Sequence, residues 1–134
     1  MEATEYANKF GKLLIEYGRD NTFRDFLKLT EGKFKDAENI KLSNELKDFT
    51  PEQLETVKKL VLLHIDDTIH NFLWMIEQNN EDFDIVVKKD GEWSTMDKES
   101  DGLYGESYGE DGWIAKYSKY YSPNLDGETI DATP

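Results

Sequence analysis

His64, Asp66, Asp67 and His70 lie within seven residues of one another in a strongly helical stretch. On a helix, Asp66 and His70 (i, i+4) share a face, as do His64 and Asp67 (i, i+3). Either pair could give two ligands to Zn²⁺ or Fe²⁺, and Glu77, two turns on, could add a third to the Asp66/His70 pair. Against a metal, the same spacing serves plain helix-face hydrogen bonding, with His70 held by Asp66. The chain holds two His and no Cys, so a further His or thiolate ligand is missing. A second cation-like pattern is Asp97-Lys98-Glu99-Ser100-Asp101-Gly102, with acids at positions 1, 3 and 5 and Gly at 6 of a calcium loop. Position 12 would be Tyr108, where the bidentate Glu belongs, so the pattern breaks off half-way.

Other chemistry finds no support. Zero Cys excludes a disulfide framework, a zinc ribbon and thiol catalysis. Gly105-Glu106-Ser107-Tyr108-Gly109 has the bare spelling G-x-S-x-G, but none of the serines has a recognisable triad context, and no G-K-[ST] follows the glycines. Many carboxylates are present, but nothing marks two of them as a pair with separated pKa values. The expectation is a binding protein without enzyme activity or cofactor.

The elements that must carry these residues follow from periodicity. Tyr6, Phe10, Leu13, Leu14 and Tyr17 predict an amphipathic helix over 2–18 with Gly18 as its C-cap. Thr22 and Asp25 predict the start of a second helix, with Phe23, Phe26 and Leu27 inward and Gly32 at its end. Ile40, Leu42, Leu46 and Phe49 predict a short helix near 43–48, started by Ser43. Thr50-Pro51-Glu52-Gln53 combines an N-cap, a Pro at N1 and a Gln at N3. A helical repeat from Leu54 to Ile76 follows, giving about 28 residues and roughly 42 Å. Leu62, Leu63, Leu73 and Met75 widen its apolar surface, which predicts burial on more than one side.

After Asn79-Asn80, Phe83, Ile85 and Val87 alternate with Asp84, Val86 and Lys88, as in a strand. Asp90-Gly91 predicts a hairpin turn, with a return strand over Glu92–Met96. Residues 97–112, with four Gly and six acids, read as a loop. Asp111 would then cap a last helix bearing Trp113, Ile114, Tyr117 and Tyr121, with Trp113 and Tyr117 in the core and Tyr120 and Ser122 off it. The expected fold is α+β, with a mainly helical N-terminal two-thirds, a long central helix, a small antiparallel hairpin, an acidic Gly-rich loop and a short C-terminal helix. One domain over 1–122 and a tail over 123–134 complete it. No run approaches 18 apolar residues, and the acidic start has no basic n-region, so cytoplasmic residence is expected.

The 134-residue chain carries a net charge of −13, and its distribution is uneven. Residues 1–60 hold 11 basic and 12 acidic side chains, whereas residues 61–134 hold 5 and 17. Such an anion disfavours direct contact with nucleic acid or an anionic membrane. The acidic half is also where the aromatics gather. Trp and Tyr dominate binding hot spots because they combine rigid area with a polar tip. Asp97, Glu99, Asp101, Glu106, Glu110 and Asp111 would supply a field, and Trp93, Tyr104 and Tyr108 the anchors, for a basic protein partner. The alternative is a solvated acidic surface.

His64-Ile65-Asp66-Asp67-Thr68-Ile69-His70-Asn71-Phe72-Leu73-Trp74, Ser100-Asp101-Gly102-Leu103 and Glu110-Asp111-Gly112-Trp113-Ile114 look similar to stretches of small acidic bacterial proteins. The whole resembles the immunity proteins that neutralise contact-delivered toxins. That resemblance implies a small single-domain cytoplasmic inhibitor, with a basic, nuclease-like toxin as the natural partner. It assigns no binding residue position by position. A DNA-mimic inhibitor of a DNA-binding enzyme shares the acidic face, and duplex DNA would compete for its partner. A metal-dependent enzyme centred on Asp66, His70 and Glu77 is the reading from a different class.

Overall fold

Thr4 opens the first helix: its hydroxyl accepts the Ala7 amide, and α1 runs over Glu5–Leu13. The computed structural model describes residues 4–120. The helix does not stop at Gly18. It passes into a π-helical segment, Leu14–Asp20, and straight on into α2, Asn21–Thr30. Gly18 is therefore not a C-cap and Thr22 not an N-cap; the Thr22 hydroxyl donates back to the Gly18 carbonyl inside the helix. The wider turn redirects the buried stripe. Ala7, Gly11 and Ile15 face inward, followed by Arg19 and Asp20, while Leu13 and Tyr17 are exposed. The inward face is small because Gly11 lies against the Trp113 indole.

Gly32 does end α2, in the left-handed region at φ +69°, with the Lys33 amide reaching back to the Lys28 carbonyl. Helix α3 is Ala37–Leu46, longer than expected at its start because Asp36 is its cap and accepts the Asn39 amide. Ser43 lies inside it, buried. Helix α4 is Pro51–Gln78, and Thr50 and Gln53 form the expected reciprocal capping box.

Strands β1 (Val86–Lys89) and β2 (Glu92–Thr95) pair antiparallel, Val86 opposite Thr95 and Lys88 opposite Trp93. Asp90 and Gly91, at φ 54° and 82°, form the turn. Met96 belongs not to β2 but to a one-turn helix, α5 (Met96–Glu99). The expected loop 97–112 also contains a 3₁₀ turn, Leu103–Gly105, and α6 is Trp113–Tyr117. Gly112 precedes α6 without any side-chain cap, so Asp111 does not serve as one. The protein is thus α+β, with the helical part first and the hairpin and short helices after it.

Among the described residues, two apolar clusters hold the fold. The larger joins Ala7 and Ile15 to Leu73 and Ile76 of α4 and to Met96, Leu103, Trp113 and Ile114, with Tyr117 packed against it. The smaller is Phe23, Leu27, Leu62 and Tyr120. Tyr120 is 1% exposed, so it is core rather than off-core. Tyr121, Ser122 and the tail 123–134 lie outside the described residues. Among the described residues, α2, the π segment and the 3₁₀ turn cover one side of α4. Leu60, Leu63, Phe72 and Met75 remain exposed, contrary to burial on more than one side. Among the described residues, no helix is long and apolar enough to cross a membrane.

Candidate functional site: an acidic aromatic cleft

Residues 105–112 fold back on themselves. The Tyr108 amide reaches the Gly105 carbonyl and the Gly112 amide the Gly109 carbonyl. The Trp113 and Ile114 amides then pin α6 to the Glu106 and Ser107 carbonyls. Two glycines permit this closure. Gly109 lies at φ +89°, and a Cβ at Gly112 would overlap the Tyr108 carbonyl. Between this loop, α1 and α6 opens a cleft of about 540 Å³. Its walls carry Glu106, Tyr108, Glu110, Asp111, Trp113 and Lys116.

The walls are fixed by bonds to distant parts of the chain. The Trp113 Nε1–H donates to Asn8 Oδ1 at 3.1 Å, and Phe10 meets the indole edge-on. The Tyr108 hydroxyl donates to the Asp66 carbonyl at 3.3 Å. Glu110 and Asp111 are exposed and form no ion pair with a described residue. Glu106 is half-buried. Burial pushes its carboxyl above the ordinary glutamate value, the Asp101 charge adds to this, and the Ser100 hydroxyl and Lys116 pull the other way.

That shift has a sign for stability. A raised carboxyl pKa favours the protonated form in the fold, so its stabilising part holds in acid and is lost as pH rises through the raised value. Glu106→Gln is uncharged throughout and is expected to gain on the parent protein between acid and neutral pH. Thermal melts across that range measure it; a constant difference between the two proteins contradicts the assignment.

The other predicted site residues are placed elsewhere. Trp93 is 64% exposed on β2, with Lys88 Nζ 5.7 Å from its ring centroid. Asp97 accepts from Asn80 and Glu99 from Ser94, each on α5. Asp101 follows α5 in an exposed bend. Tyr104 packs edge-on against Trp74 and His70 of α4. So Glu106, Tyr108, Glu110 and Asp111 meet in one cleft, while Trp93, Asp97 and Glu99 lie on the hairpin and α5, and Tyr104 lies toward α4.

The helix-borne pairs are not ligand sets. Asp66 faces Arg19, which donates to both of its oxygens at 2.6 and 3.2 Å, and not His70. His70 Nδ1 lies 3.2 Å from the Tyr104 carbonyl, an acceptor, so Nδ1 carries the proton. His64 and Asp67 pair at 3.7 Å on the open surface. Glu77 is raised chiefly by burial, with the Tyr104 amide opposing and the Asp97 and Asp101 charges adding. The helical turn of α5 also breaks the calcium-like spacing. Among the described residues, no three His, Cys, Asp or Glu side chains converge on a cation position.

Asn8 and Lys116 were not legible as cleft residues, nor Arg19 and Asp20 as partners of Asp66 and of residues 118–120. Arg19 follows Gly18, where the helix was expected to end, and only the π turn carries it inward. Set against protein-family models, curated proteins and solved structures, the chain matches none. The reading of its function therefore rests on the cleft.

Proposed function

We propose that the protein is an inhibitor-type binding protein whose cleft takes a basic protein partner, in the manner of immunity proteins that neutralise nuclease-like toxins. The observation that carries this is the pairing of two exposed carboxylates without an ion pair among the described residues, Glu110 and Asp111, with the fixed aromatic residues Tyr108 and Trp113 around one opening. Unpartnered surface carboxylates draw a cationic partner from a distance and raise its on-rate. The exposed Tyr108 ring, fixed through its hydroxyl over the buried Trp113, supplies apolar area with little ordering cost on binding. A nuclease fits the charge, since its own site is electropositive to hold nucleic acid. Cytoplasmic action would follow from that role.

The test is capture of a purified basic toxin or host partner at low and high salt. Wild type is expected to bind at low salt and to lose affinity steeply as salt rises. Glu110→Lys/Asp111→Lys is expected to lose association at least tenfold, about 1.4 kcal/mol, with an unchanged melting temperature. Binding equal to wild type in the double variant overturns the proposal. Added duplex DNA separates a partner held through its nucleic-acid site from one held elsewhere.

A further inference from the structure

Beyond α6, residues Ser118–Tyr120 are neither helix nor strand, yet they are firmly held. The Ser118 hydroxyl donates to Asp20 at 2.6 Å, and the Lys119 amide donates to the other Asp20 oxygen at 2.9 Å. Arg19 Nη1 donates to Ser118 Oγ at 2.7 Å and to the Tyr120 carbonyl at 3.4 Å. The Tyr120 amide closes the turn onto Ser118 Oγ. Apart from the Ser118 amide, which ends α6 at the Ile114 carbonyl, each tie from this strap to other described residues ends on Arg19 or Asp20. Those two residues are consecutive and sit in the π segment. Among the described residues, the Ser118 amide bond that ends α6 is the one backbone pairing the strap shares with a helix, and none joins it to a strand.

The Tyr120 ring fills the space between α2 and α4, 5.1 Å from Phe23 and beside Leu27 and Leu62. Its hydroxyl is buried and has no hydrogen-bond partner among the described residues. A phenylalanine would fill the same space without that penalty. A buried hydroxyl without a partner weakens docking, because the group regains hydrogen bonds with water when the ring leaves. The seat is thus apolar enough to hold the ring, yet gives its hydroxyl no hydrogen bond that would hold it there.

We propose that Ser118–Tyr120 is a latch that opens as a unit short of global unfolding, and that its opening loosens α6, which is then held only at its start by the Trp113 and Ile114 ties. Helix α6 is five residues long. Its first turn carries Trp113 and Lys116 into the cleft wall, and its end is held by the latch. An open latch therefore loosens the cleft. The bearing of this on partner binding rests on the reading of the cleft given above; the opening itself does not.

Native-state hydrogen exchange on the full chain, read by NMR, tests it. The Lys119 and Tyr120 amides are expected to exchange faster than the Leu62 and Leu73 amides of α4 and with little dependence on denaturant. Tyr120→Phe is expected to slow them about tenfold. Ser118→Ala is expected to speed the Lys119 amide while the α4 amides keep their protection. Equal protection of latch and α4 amides in wild type, or equal loss in Ser118→Ala, shows that the strap opens only with the whole fold and overturns the latch. The Trp113 indole N–H reports on α6. If it stays protected while Lys119 opens, the latch does not loosen α6, whatever any partner assay finds.

Discussion

Arg19→Met is expected to cost about 3–5 kcal/mol of folding free energy. Arg19 and Asp20 are each 2% exposed and Asp66 is 9%. The guanidinium donates to both Asp66 oxygens and lies 3.9 Å from Asp20. Removing it leaves two carboxylates in the interior with no cation between them. Exposed ion pairs cost little when broken, about 0–1 kcal/mol, but a stranded buried charge costs several times more. Against a typical total of about 5–15 kcal/mol, the loss takes a large share of the fold.

The pH dependence follows from Asp66. Burial raises its carboxyl, ahead of the opposing Arg19 bond and charge, with Asp67 and Asp20 adding to the rise. The protonated form is thus favoured in the fold, and its stabilising part fades as pH rises through the raised value. Without Arg19 the carboxyl rises further, so the defect is largest at neutral pH and narrows in acid. Urea melts at neutral and mildly acidic pH measure both effects. A loss under about 1 kcal/mol would place the network on the surface instead. Arg19→Met/Asp66→Leu is expected to recover much of the loss, because no charge at position 66 is then stranded.

Gly11→Ala is the second large effect, and its sign runs against propensity. In an open helix interior this change stabilises by about 1 kcal/mol. Here the new methyl would overlap the indole ring of Trp113. The ring has little room to yield: it is 1% exposed, bonded to Asn8 and edge-on to Phe10. Overpacking of this kind costs about 1–3 kcal/mol, enough to reverse the propensity gain. Since Trp113 also walls the cleft, a shift in tryptophan fluorescence should accompany the lower melting temperature. A more stable Gly11→Ala protein would show that the indole does not rest on α1.

Much of the fold was legible because its signals are local. The capping box at Thr50–Gln53 and the repeat to Ile76 defined α4, since both act within a few residues along the chain. Asp90-Gly91 defined the hairpin turn through the positive φ that both residues adopt. Asp36 was legible in principle, as an aspartate three residues before Asn39, but Ser43 offered a competing cap closer to the apolar run. The candidate site was legible in composition and not in assembly. Acids and aromatics were gathered in 93–113, but nothing local said that Glu106, Tyr108, Glu110 and Asp111 share a cleft while Trp93 stands apart on β2.

By itself the sequence determined an α+β chain, a capped 28-residue α4 and an anion concentrated in its second half. Each of these depends on neighbours along the chain or on a sum over residues. Only the tertiary structure decided that Gly18 lies inside a continuous helix, that Arg19 takes Asp66 from His70, and that Tyr120 is core. It also decided which side of α4 stays open. These outcomes join residues about 50 to 100 positions apart, such as Arg19 with Asp66 and Tyr120. One extra residue in a helical turn changes which side chains face inward, and periodicity read along the chain does not reveal where that residue is inserted.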